Sequence, residues 1–401
     1  MSDSSNSRTL KDYKSVPPSA KALVLYVDRL LLSNFRSYEN IELNVGSNSV
    51  VLVGANGAGK TNLLEALSFL SPGRGLRRAK LSDVNLIGSS ISWAVSGRVI
   101  TPDGERQLGS GLQPRHELSS ETSVDRRIGK LDGEILSSPL AFANVLQVAW
   151  LTPQMDRLFI EGTSGRRRFL DRLVAAYYPS HAREVNAYEK VMRERGRLLS
   201  EENADQLWLE SLEKRMAEHG VAVAAARLDA LGKLSQAIQE SQSEFPTAVL
   251  SIGGELEKEL SHRPALEVER TFCERLFSTR SYDSKSGRTS IGPHKSDLLV
   301  RHAEKNMPAD LCSTGEQKAL LIGITLASAR LSATQFGAPP LLLLDEVAAH
   351  LDESRRGYLF EELRDIGSQV WLTGTDKSLF RQIEKSAKFF HFSDGKIEVD
   401  T

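Results

Sequence analysis

The 401-residue sequence is 40% hydrophobic and 26% charged, enough chain for two or three structural units and an ordinary balance for a soluble globular protein. Its 51 Lys+Arg against 52 Asp+Glu exclude a bulk electrostatic pull toward polyanions, so any nucleic-acid contact has to come from local patches. Two cysteines, Cys273 and Cys312, argue against a disulfide framework or a zinc site; no signal peptide and no apolar run of transmembrane length are read, so a cytoplasmic protein without a membrane partner is expected.

Residues 1–21 are polar and Ser-rich with Pro17-Pro18, and read as a disordered tail. A β-rich stretch begins at Leu23 and runs into Val50-Val51-Leu52-Val53. Gly54 to Asn62, GANGAGKTN, then matches the P-loop pattern in full, and Leu63-Leu64-Glu65-Ala66-Leu67 follows at helical spacing. This is strand, loop and helix in the order that phosphate binding needs. Glycines let the backbone curl until its N–H groups point inward, and the helix presents its positive end to the same anion. Gly54, Asn56, Gly57, Ala58, Gly59, Lys60, Thr61 and Asn62 are therefore candidate ATP contacts. Lys60 would reach the outer phosphates and Thr61 would ligate Mg²⁺. A glycine-rich turn without a ligand would leave the lysine, the threonine and the flanking elements unexplained.

Residues 91–149 alternate apolar and polar positions between glycine-bearing turns, which predicts an antiparallel meander. From Gly165 to about Phe245 the pattern is helical. Residues 206–244, if continuous, would make a helix on the order of 60 Å long, with Gly220 and Gly232 as the points where it would break. Another helix follows Pro264, then a polar linker, SYDSKSGRTS, and α/β character returns at Ile291. The expected architecture is an α/β head, residues 22–175 and 286–401, with residues 176–285 inserted as a helical arm.

Leu341 to Glu346, LLLLDE, is an apolar strand ending in two acids. Asp345 would complete the Mg²⁺ shell and Glu346 would polarise the attacking water. Taken alone, the segment is also what a core strand with solvated end residues looks like. STGEQKALL, from Ser313, contains Ser313-x-x-Glu316, a capping box for the helix it opens. It also resembles the signature of ABC-type ATPases, which acts across a dimer on the nucleotide of the other subunit. That resemblance makes Ser313, Gly315, Glu316 and Gln317 candidate nucleotide contacts in trans. QVWLTGTD, Gln369 to Asp376, reads as the last core strand, with Gly374 or Thr375 where ABC relatives usually carry a switch histidine. Basic residues cluster at Arg74, Arg77, Arg78 and Lys80, at Arg126-Arg127 and at Arg166-Arg167-Arg168. The first cluster is the candidate for DNA backbone contacts; the last reads as structural, because Phe169-Leu170 follows it.

Taken together, NFRSYENIEL with GANGAGKTNLLEAL, LLLDEVAAHLDESRRGYL, GPHKSDL from Gly292 and PQMDRLFIEGTSGRRRFLD from Pro153 resemble the RecF family of bacterial recombination-repair ATPases. The likeness extends over about residues 23–401. It departs at Gln154, Thr163, Lys295 and Ser296. The resemblance implies an α/β ABC-type ATPase head, a mixed P-loop sheet beside an antiparallel β subdomain, with a short inserted α-helical arm. It also implies an ATP-dependent homodimer and weak, DNA-stimulated ATP hydrolysis. The family acts on gapped DNA, at single-stranded and double-stranded junctions, with RecO and RecR to place RecA. By the same resemblance Arg36, in FRSY, contacts the nucleotide; on its own it is a surface arginine at a strand turn. Two rivals share the nucleotide motifs. A transporter's nucleotide-binding subunit would lack the long helical insertion. A condensin-like structural clamp would need hundreds of heptad residues between the P-loop and the acidic strand.

Overall fold

The computed structural model describes residues 25–113, 125–201, 203–393 and 396–399; the tail expected over residues 1–21 lies outside them. β1 (Tyr26–Phe35) alternates buried and partly exposed residues and turns through Arg36-Ser37 into β2 (Tyr38–Asn44). The chain next lays down β3 (Ser49–Gly54), whose Val50 to Val53 are all buried, then α1 (Lys60–Ser68). It returns with β4 (Ala94–Thr101), β5 (Gly104–Leu112), β6 (Arg127–Leu131) and β7 (Glu134–Ile135). These four strands and the first hairpin form one antiparallel sheet, ordered β2-β1-β4-β5-β6-β7. The predicted meander is present, with one correction at its end. β8 (Val148–Leu151) leaves it and joins another sheet in parallel.

Helices come next: α2 (Thr163–Ala175), α3 (His181–Leu199) and α4 (Gln206–Glu240). α4 is unbroken for 35 residues, about 52 Å, and ends four residues short of the expected boundary. Gly220 does not interrupt it. A Cβ there would stand 2.9 Å from Phe272, so the glycine lets two helices close up. Gly232 would meet nothing within 4 Å. β9 (Ala248–Gly253), α5 (Glu255–Leu260), α6 (Ala265–Ser278) and α7 (Arg280–Ser286) complete this part. α7 corrects the polar linker. Its Asp283 is buried and binds Arg195 at 2.7 Å, and Arg195 also binds Glu213 at 3.0 Å. A fully buried guanidinium demands carboxylate partners, and that demand shapes the segment.

β10 (Asp297–His302) pairs β9 and the short β11 (Met307–Pro308). α8 (Thr314–Phe336) leads into β12 (Leu341–Leu344), α9 (Glu353–Ile366), β13 (Val370–Gly374), β14 (Ala387–Ser393) and β15 (Lys396–Val399). No apolar run of transmembrane length is expected from the sequence, yet α8 is, by length and composition alone, apolar enough to cross a membrane; here it is a largely buried helix of the core.

The central sheet runs β15-β14-β3-β13-β12-β8, parallel except for the β14–β15 hairpin. Its side chains alternate between two cores. Val50, Leu52, Leu341, Leu343 and Trp371 pack with α1 and the antiparallel sheet. Val51, Val53, Leu342, Leu344 and Leu372 pack with α2, α8, α9 and the second half of α4. A third core, in the arm, joins α3, α5 and α6 to the first half of α4. One helix therefore belongs to both arm and head. At the junction Arg227 of α4, buried, binds Asp171 of α2 at 2.9 Å and the Pro293 carbonyl at 2.7 Å.

Candidate nucleotide-binding site

β3 ends at Gly54 and the next five residues curl to α1. The bend requires glycine at position 59: its φ is 103°, and a Cβ would lie 2.3 Å from the Tyr38 hydroxyl. No side chain caps the helix and its first turn has no acid; the Asn62 amide bonds back to the Gly59 carbonyl at 2.8 Å. Asn56 and Gly57 are exposed on the loop. Lys60 is buried and folds over its own loop, donating to the carbonyls of Gly54 at 2.6 Å and Ala55 at 2.8 Å. Burial lowers its pKa, against the opposing pull of Glu346 and Asp345.

The acids arrive from the far end of the sequence. β3, β13 and β12 are adjacent parallel strands, so their C-terminal ends open on one edge. Thr61 Oγ1 stands 3.0 and 3.1 Å from the two carboxylate oxygens of Asp345, 284 positions away. Burial raises the pKa of Asp345, while hydrogen bonds from Thr373 and Thr61 oppose the rise. Thr373 donates to Asp345 Oδ1 at 2.8 Å and accepts from the Glu346 amide at 2.8 Å. Glu346 itself turns out of the strand in a left-handed conformation, φ 54°. A hydroxyl beside a carboxylate is a hard oxygen pair. It suits a magnesium ion that takes one or two protein ligands and completes its shell with phosphate and water.

Ser313 opens α8, and both halves of its capping box are closed. The Glu316 carboxylate accepts from the Ser313 amide at 2.9 Å and also pairs with Lys305. Lys305, with the two Ser313 hydrogen bonds, holds Glu316 at a pKa of about 2. Ser313 and Gly315 are exposed, whereas Gln317 is buried and donates to the Cys312 carbonyl at 2.8 Å. Within one chain this motif is a finished helix cap, and none of its residues is bonded to the P-loop.

The remaining candidates divide. Arg36 is committed to Glu65 of α1, at 2.9 and 2.8 Å. Arg77 binds the same buried carboxylate at 3.2 Å and Asn62 at 2.8 Å, and Asn62 donates to Ser37 at 3.0 Å. Asn62 and Arg77 thus tie the basic loop and the first hairpin to the P-loop helix. Arg74, Arg78 and Lys80 are exposed. Partial desolvation, then the positive neighbours Arg168 and Arg74, lower the pKa of Arg78. Arg166 binds Asp297 at 2.8 Å and Arg167 the Ser296 carbonyl at 2.9 Å, as a structural cluster should; Arg168 is exposed instead. Arg127, mostly desolvated, donates to the Ser71 carbonyl at 3.0 Å. At the end of β13, a Cβ on Gly374 would stand 2.5 Å from Phe380, so no side chain fits there, and Thr375 is the first exposed one. Sequence reasoning missed Tyr38, Glu65, Thr373 and Lys305. Tyr38, Glu65 and Thr373 stand inside recognisable motifs, but nothing in their spacing says what they touch.

Residues 26–398 match the model of the RecF/RecN/SMC N terminal domain. The chain is 47% identical to the DNA replication and repair protein RecF of Agrobacterium fabrum over 374 residues, 92% of this chain and 98% of that one. The protein of the same name from Mesorhizobium japonicum is 46% identical, over 93% and 97% of the two chains. Among solved structures, the recombination mediator protein RecF-ATPrS of the RecFOR pathway superposes with a TM-score of 0.81 at 23% identity, covering 95% of this chain and all of that one. An Smc head domain from Pyrococcus furiosus, bound to the C-terminal domain of ScpA, reaches 0.52 at 17% identity, over 94% and 96%. Both structures share the fold.

Proposed function

The chain belongs to the RecF family of DNA replication and repair proteins, and from that premise we propose an ATP-driven DNA-binding dimer that acts in recombinational repair. The family is one of ABC-type ATPases. In this reading the P-loop residues Gly54 to Asn62 hold ATP, and Thr61 and Asp345 hold Mg²⁺, which supplies charge neutralisation on the phosphates when bound. Glu346 orients a water for in-line attack on the γ-phosphorus. The bond to the bridging oxygen breaks, ADP and phosphate leave, and the water's proton passes to Glu346 and on to solvent. Ser313 and Gly315 contact the nucleotide of a second copy. Exposed Arg74, Arg78 and Lys80 neutralise DNA phosphates, and Arg77 links them to the P-loop helix. Gapped DNA is the substrate, RecO- and RecR-like proteins are the partners, turnover is slow and stimulated by DNA, and the location is the cytoplasm. Residues 176–285 act as the arm and the flanking segments as the head.

One observation carries the proposal. A P-loop threonine and a strand-end aspartate meet at 3.0 Å although 284 residues separate them. The test is sedimentation with ATP and Mg²⁺ in the presence of gapped, single-stranded and duplex DNA. The wild type should dimerise on ATP and prefer gapped DNA. Glu346→Gln should dimerise and stay dimeric, because it binds ATP without cleaving it. A Gln variant that hydrolyses ATP at the normal rate removes Glu346 from the mechanism. Arg78→Ala should flatten the salt dependence of DNA binding by about one unit per lost phosphate contact. An unchanged slope moves the DNA surface elsewhere.

A further inference from the structure

We infer that Thr373 is the positioning residue of the hydrolytic corner, holding Glu346 in place and orienting the Asp345 carboxylate. The inference rests on the ATPase reading and goes beyond it. The β12–β13 ladder runs from Leu342 opposite Val370 to Leu344 opposite Leu372 and stops there. The next amide, of Asp345, turns to the other neighbour and donates to the Leu151 carbonyl at 2.9 Å. The one after it, of Glu346, finds its acceptor in a side chain, Thr373 Oγ1, at 2.8 Å. That bond fastens a residue whose φ of 54° and ψ of 19° a glutamate keeps only when its surroundings impose them.

The same hydroxyl has one proton, and it goes to Asp345 Oδ1 at 2.8 Å. Thr373 is 1% exposed, so water does not substitute for either bond. Thr61 lies within reach of both Asp345 oxygens but also has a single proton. Thr373 bonds Oδ1 alone, whereas Thr61 reaches both oxygens. Were a cation bound, Thr61 and Asp345 would supply it with oxygen ligands, and Thr373 would keep the Asp345 carboxylate oriented through Oδ1. One buried hydroxyl therefore orients the metal acid and anchors the backbone of the residue that handles water. Thr373 acts through these two neighbours.

Thr373→Ser keeps the hydroxyl and loses a methyl; Thr373→Ala loses both; Thr373→Val keeps the shape and loses the hydroxyl. The Ser and Ala variants differ by one oxygen and decide the matter even if Val does not fold. Two readouts are needed: steady-state ATP turnover, and the Mg²⁺ midpoint for binding ATPγS without turnover. Ser should stay within about threefold of wild type in both, whereas Ala and Val should lose on the order of 10–100-fold in kcat and raise the Mg²⁺ midpoint by about tenfold. The KM for ATP should move less than about threefold, since the phosphate cradle is untouched. An Ala variant that matches Ser in both readouts overturns the assignment, as does a Ser variant as impaired as Ala, which would mean that only packing was lost. A wild-type chain that binds no ATPγS overturns the nucleotide reading and this inference with it.

Discussion

The helices α1 and α8 both open on motifs proposed to contact phosphate, but their first turns are built differently. α1 begins on a left-handed glycine, with no side-chain cap and no acid. α8 begins on Ser313 with a closed capping box and an acid in its first turn. A helix leaves its leading amides unpaired, and something has to satisfy them. At α1 the chain supplies no side chain for the task, and in the proposed function a nucleotide of the same subunit would do it. At α8 the chain satisfies its own Ser313 and Glu316 amides, so this end is stable alone. The shared-site reading proposes that this end meets a nucleotide only when a second copy brings one.

The sharpest way to break this comparison is to inactivate one helix start at a time. Lys60→Ala and Ser313→Arg should each be nearly inactive as homodimers. In a mixed dimer one composite site collects both defects and the other collects none. Mixing should restore ATPase activity, up to about half of wild type in a pure heterodimer, by the two-fold symmetry of the pair. A verified heterodimer with no activity would falsify the shared-site reading and leave Ser313 a plain cap.

A smaller effect separates the two starts within one chain. Gly59→Ala places a Cβ 2.3 Å from the Tyr38 hydroxyl at a φ of 103°. We expect ATP affinity, measured by calorimetry, to fall by roughly a hundredfold, as strain of about 3 kcal/mol at such a position implies. Ser313→Ala should instead cost about 1 kcal/mol of folding stability, read from denaturant midpoints, with ATP binding to the single subunit unchanged. If both variants lose stability and neither loses ATP affinity, the distinction drawn between the two starts is wrong.

The smallest expected effect is in pH. Glu316 has a folded pKa of about 2, held down by Lys305 and Ser313. An unfolded glutamate titrates near about 4.3. Its contribution is therefore fully present above that value and is lost as pH falls through about 2. Glu316→Gln keeps the capping geometry without the charge. The wild type should lose stability more steeply than the variant as pH drops from about 5 toward 2, in denaturant midpoints taken stepwise. Parallel curves would show that the carboxylate adds nothing to the cap.

Much of this site was legible in the sequence because its parts are local. GANGAGKT encodes a bend that only glycine permits, a lysine and a hydroxyl within one turn. Ser313-x-x-Glu316 encodes a cap that closes on itself, and it did. LLLL before Asp345 encodes a strand buried on both faces. What went astray was non-local. The SYDSKSGRTS stretch looked like a linker because nothing in it reveals that Arg195 needs Asp283. β8 reads as part of the meander because an edge strand does not state which sheet it will join, and β9, six residues between helical segments, meets its partner β10 only in the fold. The arginines of residues 166–168 read as one cluster, and folding sorted them into two internal pairings and one exposed charge.

By itself the sequence determined the kinds of chemistry present: a phosphate cradle, a capped helix start, and a pair of acids at a strand end. It could do so because backbone conformation, capping and side-chain periodicity are set by residues a few positions apart. Only the tertiary structure decided which groups meet. It brought Thr61 to Asp345, placed Thr373 between Asp345 and Glu346, and gave buried Glu65 to both Arg36 and Arg77. Those meetings depend on the order of strands in the central sheet and on ion pairs that burial forces to completion. Neither is fixed by spacing along the chain, because both arise only when distant segments pack together and exclude water.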